Sequence, residues 1–260
     1  MSTTPTKREL REQRRAARRE AERAEAARAA RRRRLVRLAA AAGVAAVAVV
    51  IAVAVSSAGG PDTSSRQTTG GAQAAALFDG IPERNGVLGR SGAPLTVTEF
   101  VDLQCPVCAA ASKQTLPTIV DKYVRTGKVK LDARTLHFIG PDSERAARVA
   151  AAAERQGRLW PFLEVFYANQ GQENSGYVTD AFLRRVAAAA GVDAGKALAQ
   201  ADSPFAQRQL DRADAEAQRL GVDSTPTFVV AKRGGAPHVL ATNGLDAGSV
   251  SAALDRELAQ

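Results

Sequence analysis

Residues 98–108, Thr-Glu-Phe-Val-Asp-Leu-Gln-Cys-Pro-Val-Cys, decide how the rest of the chain is read. An apolar, β-prone run from Leu95 to Val101 leads into two cysteines spaced C-x-x-C, and a helix-like pattern follows from Ala109 to about Arg125. Cys105 and Cys108 are the only cysteines in the sequence. A C-x-x-C that opens a helix after a strand points to a thiol–disulfide redox centre. At the first turn, the Cys105 sulfur faces unpaired backbone N–H groups and the positive end of the helix dipole, and both favour thiolate over thiol. Cys108 lies one turn on, so the two sulfurs share a face and can bond to each other. Pro106 fits the first turn, where its missing N–H costs nothing. Cys105 is therefore expected to be the attacking thiolate and Cys108 the resolving thiol.

Two plainer readings compete. The pair can be a static structural disulfide, or half of a zinc site. For zinc, His137 and His238 are the only histidines on offer, and they lack the spacing of three to five residues usual for a histidine pair. No metal and no cofactor beyond the cysteines is expected.

The net charge of +9 over 260 residues suggests nucleic acid until it is located. Residues 1–37 hold 14 Lys/Arg against 5 Asp/Glu, which leaves 22 of each in the remaining 223 residues. The part that folds is thus electroneutral, whereas a nucleic-acid-binding domain carries its own basic face. The arm, ending in Arg31-Arg32-Arg33-Arg34, has no apolar stripe to bury and reads as a solvated cytoplasmic tail.

Residues 38–58 carry no charge and are almost all Ala, Val, Ile and Gly. As a helix, this run is close to the roughly 30 Å of a bilayer's hydrocarbon. The basic residues before it predict a single span, with the N-terminus in the cytoplasm and everything after Ala58 outside. A cleaved signal peptide ending at Ser56-Ser57-Ala58 is the rival, though signal h-regions are usually shorter. Either way the cysteines meet an oxidising compartment. Gly59 to about Gln73 is rich in Gly, Ser, Thr and Gln, so residues 59–79 read as a flexible linker to a domain over residues 80–260.

Within that domain, turn residues fill Gly80 to Pro94, with one short strand near Val87-Leu88. A strand over Leu95–Val101, the C-x-x-C helix and a strand over Val129–Ile139 suggest a βαβ unit. About 142–220 then reads as helical throughout, with an aromatic packing face of Trp160, Phe162, Leu163, Phe166 and Tyr167. Strands return at Thr227–Ala231 and His238–Ala241 across Gly234-Gly235, and a helix over about Asp246–Leu258 closes the chain.

This order, β-α-β, a helical insertion, then β-β-α, around Cys105-Pro106-Val107-Cys108 resembles the thioredoxin fold, and the insertion makes it similar to the DsbA-type extracytoplasmic thiol–disulfide oxidoreductases. A second match is Gly221-Val222-Asp223-Ser224-Thr225-Pro226-Thr227-Phe228 ahead of a strand. The resemblance implies a cis peptide bond at Pro226 beside the cysteines, a Thr225 backbone able to pair with an extended substrate strand, and a substrate surface that includes Pro106 and Val107. It also implies that Glu99 is a buried acid exchanging a proton with the buried cysteine. The best-known enzymes of this type carry His where this chain has Val107. A His⁺ stabilises the thiolate and valine cannot, so a weaker oxidant is expected.

The resulting expectation is a membrane-anchored enzyme that passes a Cys105–Cys108 disulfide to exported proteins with free thiols. By resemblance, a membrane-bound, quinone-linked partner reoxidises it; its surroundings are the lipid bilayer, not nucleic acid. The alternatives are a reductase or isomerase, and a non-catalytic binding module that borrowed the fold.

Overall fold

In the computed structural model, which describes residues 68–260, the chain runs α1 (Gly71–Phe78), β1 (Glu83–Arg84), β2 (Val87–Leu88), β3 (Leu95–Asp102), α2 (Pro106–Gln114), α3 (Leu116–Ile119) and β4 (Val129–Leu136). The insertion follows as α4 (Pro141–Glu154), α5 (Leu159–Ala168), α6 (Asp180–Ala189), α7 (Ala194–Gln200) and α8 (Pro204–Leu220). The chain then closes with β5 (Thr227–Lys232), β6 (His238–Val239) and α9 (Ala247–Ala259). The basic arm 1–37, the apolar run 38–58 and residues 59–67 lie outside the described residues. Among the described residues, no helix is long and apolar enough to cross a membrane.

One six-stranded sheet, in the order β1-β2-β4-β3-β5-β6, carries the fold. β3 pairs parallel to β4 from Leu95↔Val129 to Asp102↔Leu136, and antiparallel to β5 from Leu95↔Lys232 to Phe100↔Thr227. Side chains alternate along a strand, so β3 feeds two cores. Leu95, Val97 and Val101 join the main core, which also takes in Cys108 on α2, Phe162 and Phe166 on α5 and Leu254 on α9. Phe100 faces the other way, into a smaller core with Leu136, Val229, Ala213 and Ala217 under α8.

The helix expected over Ala109–Arg125 starts at Pro106 and is broken near Thr115. Pro117 cannot donate a backbone hydrogen bond and its ring crowds the preceding turn. The chain restarts as α3 and passes into a π-helical turn over Val120–Val124. The strand expected to reach Ile139 ends at Leu136, and β6 is shorter than its expected span.

The folded unit also begins earlier than Gly80. Gly71–Phe78 is helical, with Ala74 and Phe78 buried and the Phe78 ring 6.5 Å from that of Trp160 on α5. Glycine permits this close docking. A Cβ at Gly70 would stand 2.7 Å from Ala168 Cβ, and one at Gly71 would stand 2.7 Å from Ala189 O. Residues read from composition as the end of a linker are therefore packed against the helical insertion.

Candidate active site at the end of the central strand

β3 delivers the chain to the first turn of α2, where Cys105 is the N-cap in extended conformation and Pro106 is the first helical residue. The Cys108 N–H donates to Cys105 Sγ at 3.2 Å, so the sulfur takes the place usually held by a capping oxygen. The β3–β5 register explains a contact across 120 residues. With Phe100 opposite Thr227, continuing two residues brings Thr225 level with the end of β3. Cys105 Sγ stands 3.4 Å from Thr225 O, and the Thr225–Pro226 peptide is cis.

The two thiols titrate in opposite directions. Cys105 is lowered from an ordinary value of 9.0 to about 6. The Cys108 thiol donating to it is the largest cause, and the Thr225 side chain and the amides of Cys108 and Val107 add to this against the cost of burial. Cys108, 1% exposed, is driven far up, chiefly by burial and then by its partner sulfur. Pro106 and Val107 between them are exposed, Thr225 is half-buried and Pro226 is buried. Glu99, 7% exposed, lies on the β3 face shared by Val97 and Val101, towards α2 and α5. Burial first, then the nearby Glu164 carboxylate, raises it to about 8.

Several residues of this neighbourhood have no site role in the sequence reading. Asp102, wholly buried, accepts hydrogen bonds from Gln104 N–H at 2.8 Å, Ser143 Oγ at 2.5 Å and Ile139 N–H at 3.2 Å. It thereby ties the cysteine loop to the segment after β4 and the first turn of α4. Gln170 Nε2 donates to both Leu103 O and Cys105 O, and Gln104 bonds Tyr177 Oη and Asn174 N–H. The Tyr167 hydroxyl, on α5, donates to Asp102 O at 3.3 Å. On α2, one turn beyond Cys108, Ser112 donates to Glu164 on α5. The available signal for Glu164 was a lone carboxyl in the apolar run Leu159–Ala168. The others are ordinary polar side chains at element ends, in helices and in loops, and most of their partners lie far along the chain.

The two histidines stand apart. His137 pairs with Asp214 at 3.8 Å, and His238 with Glu257 at 3.2 Å. Among the described residues, no cluster of three or more His, Cys, Asp or Glu is placed to hold a metal ion.

A family model described as Thioredoxin matches residues 83–238. The chain is similar to the probable disulfide bond formation protein D of Bacillus cereus, 29% identical over 147 residues that cover 55% of this chain and 68% of that protein. Among solved structures it resembles oxidised BdbD from Bacillus subtilis, with a TM-score of 0.58 at 24% identity over 70% of this chain and 97% of that one, a likeness of fold. It also resembles a thioredoxin-like oxidoreductase from Silicibacter pomeroyi, with a TM-score of 0.52 at 28% identity over 72% of this chain and 98% of that one.

Proposed function

Since the chain belongs to the thioredoxin family and is a protein-disulfide oxidoreductase, we propose that it introduces disulfides into exported proteins through Cys105 and Cys108 while anchored in a membrane. The observation that carries this reading is the placing of Cys105 Sγ at the N-cap of α2, where it accepts from the Cys108 amide at 3.2 Å. A sulfur so placed is a good leaving group as thiolate, which favours passing the disulfide on.

The cycle starts from the Cys105–Cys108 disulfide. A substrate thiolate attacks Cys105 Sγ, forming a substrate–Cys105 bond and displacing Cys108 as thiolate. Burial makes that thiolate costly, so Cys108 takes a proton, and the Glu99 carboxyl is the donor. The substrate's second thiolate attacks its own mixed-disulfide sulfur and releases Cys105 as thiolate. The substrate leaves with one disulfide, and the enzyme keeps its two electrons as a Cys105 thiolate and a Cys108 thiol. During these steps Thr225 presents backbone to an extended substrate segment, and Pro106 and Val107 form the exposed rim it meets.

The uncharged run 38–58 behind a basic arm supports a single span with the catalytic domain outside the cell. Reoxidation needs an electron acceptor, for which a quinone-linked membrane partner is proposed. The test expresses the full chain with Cys108→Ala in a bacterial host and isolates mixed disulfides. Reducible adducts with exported proteins on Cys105, and none with Cys105→Ala, support the reading. Adducts that form only on Cys108 reverse the roles, and no adducts with either variant refute it. A largely reduced pair in living cells assigns the chain to disulfide reduction instead.

A further inference from the structure

Resting on the reading that Cys108 leaves as a thiolate and takes its proton from Glu99, we infer that Glu164, held by Ser112, is the residue through which Glu99 regains that proton from solvent. Glu99 is largely buried on β3, on the face turned to α2 and α5, and 7% exposed. Among the described residues, its carboxyl makes no hydrogen bond. Glu164 sits on α5 and is half-buried, so it has contact with both the interior and water. Ser112 is buried on the turn of α2 directly after Cys108, and its hydroxyl donates to Glu164 Oε1. Cys108, Ser112, Glu164 and Glu99 thus lie where α2, α5 and β3 meet.

The groups around this cluster have the right character for moving one proton. The Tyr167 hydroxyl on α5, which donates to Asp102 O at 3.3 Å, is near enough to the charges of Cys108 and Glu99 for both to raise it. α1, which also packs on α5, contributes no charged side chain. Among the described residues, no Lys or Arg bonds Glu99 or Glu164, so nothing fixes either as a permanent anion. Burial holds Glu164 at about 7, near neutrality, where a relay must both accept and give up a proton.

The balance is simple. When the Cys105–Cys108 bond breaks, Cys108 Sγ gains the electron pair and then the Glu99 proton. Glu99, now an anion among apolar side chains, takes a proton from Glu164. Glu164 is reprotonated by water or a buffer acid. Reoxidation runs the same path outwards.

The test is stopped-flow reduction of the oxidised full chain by a dithiol peptide between pH 5 and 9, with wild type, Glu164→Gln, Ser112→Ala and Glu99→Gln. Glu164→Gln is expected to slow Cys108 release at pH 7 about 10-fold. It is also expected to make the rate depend on the concentration of a small buffer acid such as imidazolium, with Glu164→Asp restoring part of the loss. Ser112→Ala, which keeps both carboxyls, is expected to show a smaller slowing of the same kind. If Glu164→Gln keeps the wild-type rate, pH profile and indifference to imidazole buffer while Glu99→Gln is slow, the inference is overturned and the role of Glu99 stands. If Glu99→Gln is also unaffected, the reading it rests on fails as well.

Discussion

Replacing Glu99 by Gln tests the buried carboxyl through stability rather than rate. Glu99 is raised from 4.5 to about 8 in the folded protein by burial and by Glu164. Between those two values the native state binds more protons than the unfolded chain, so folding weakens as pH rises. Each unit of pH in that window costs about 1.4 kcal/mol, so from pH 5 to pH 8 wild type loses about 4 kcal/mol through this group. Gln has a similar shape and no charge to desolvate, so it escapes this loss. Glu83, Glu154 and Glu164 are also raised, each to about 7, but they titrate in both proteins and largely cancel in the difference. Sharing of charge with Glu164 trims the expected gain of Glu99→Gln over wild type to about 3 kcal/mol between pH 5 and 8. The assay is urea unfolding of both proteins in the oxidised form, which removes the cysteine titrations. A difference that stays flat across this range would mean that Glu99 is ionised and solvated, and the account of a buried proton donor would fall.

Four further outcomes follow from the same contacts. Thiolate absorbance of the reduced protein is expected to titrate near 6 for Cys105, and Cys108→Ala is expected to raise that midpoint, because it removes the largest stabilising donor. As Cys105 is depressed, the thiolate's contribution to stability of the reduced protein is present above about 9 and lost as pH falls through about 6. Val107→His is expected to lower the Cys105 midpoint further, by about one unit, and to raise the reduction potential by about 30 mV, measured against glutathione. Asp102→Asn turns an amide NH₂ towards donors that a carboxylate had satisfied, and an unfolding loss of about 2–4 kcal/mol is expected. Phe78→Ala is expected to cost about 3 kcal/mol in chemical denaturation, since α1 is packed in the core; a cost near zero would return residues 71–78 to the linker.

Local chemistry made much of this legible. The β-prone run before Cys105, Pro106 at the first helical position and the aromatic spacing in α5 each act over a few residues, and the structure places a strand, a helix start and a buried face there. α1 escaped detection because Gly70 and Gly71 look like linker residues. Their lack of a Cβ serves instead to let the helix approach Ala168 and Ala189.

The site divides along the same line. The C-x-x-C spacing, the helix start and the strand before it were readable because they depend on neighbours in sequence, and so was the direction of the Cys105 shift. The depth at which Cys108 lies, the meeting of Thr225 with Cys105, and the Ser112–Glu164 contact beside Glu99 depend on which strand faces which and on how α5 crosses α2. Burial and charge proximity are properties of the packed chain, so the acidity of each of these groups was settled only when the sheet and the insertion closed around them.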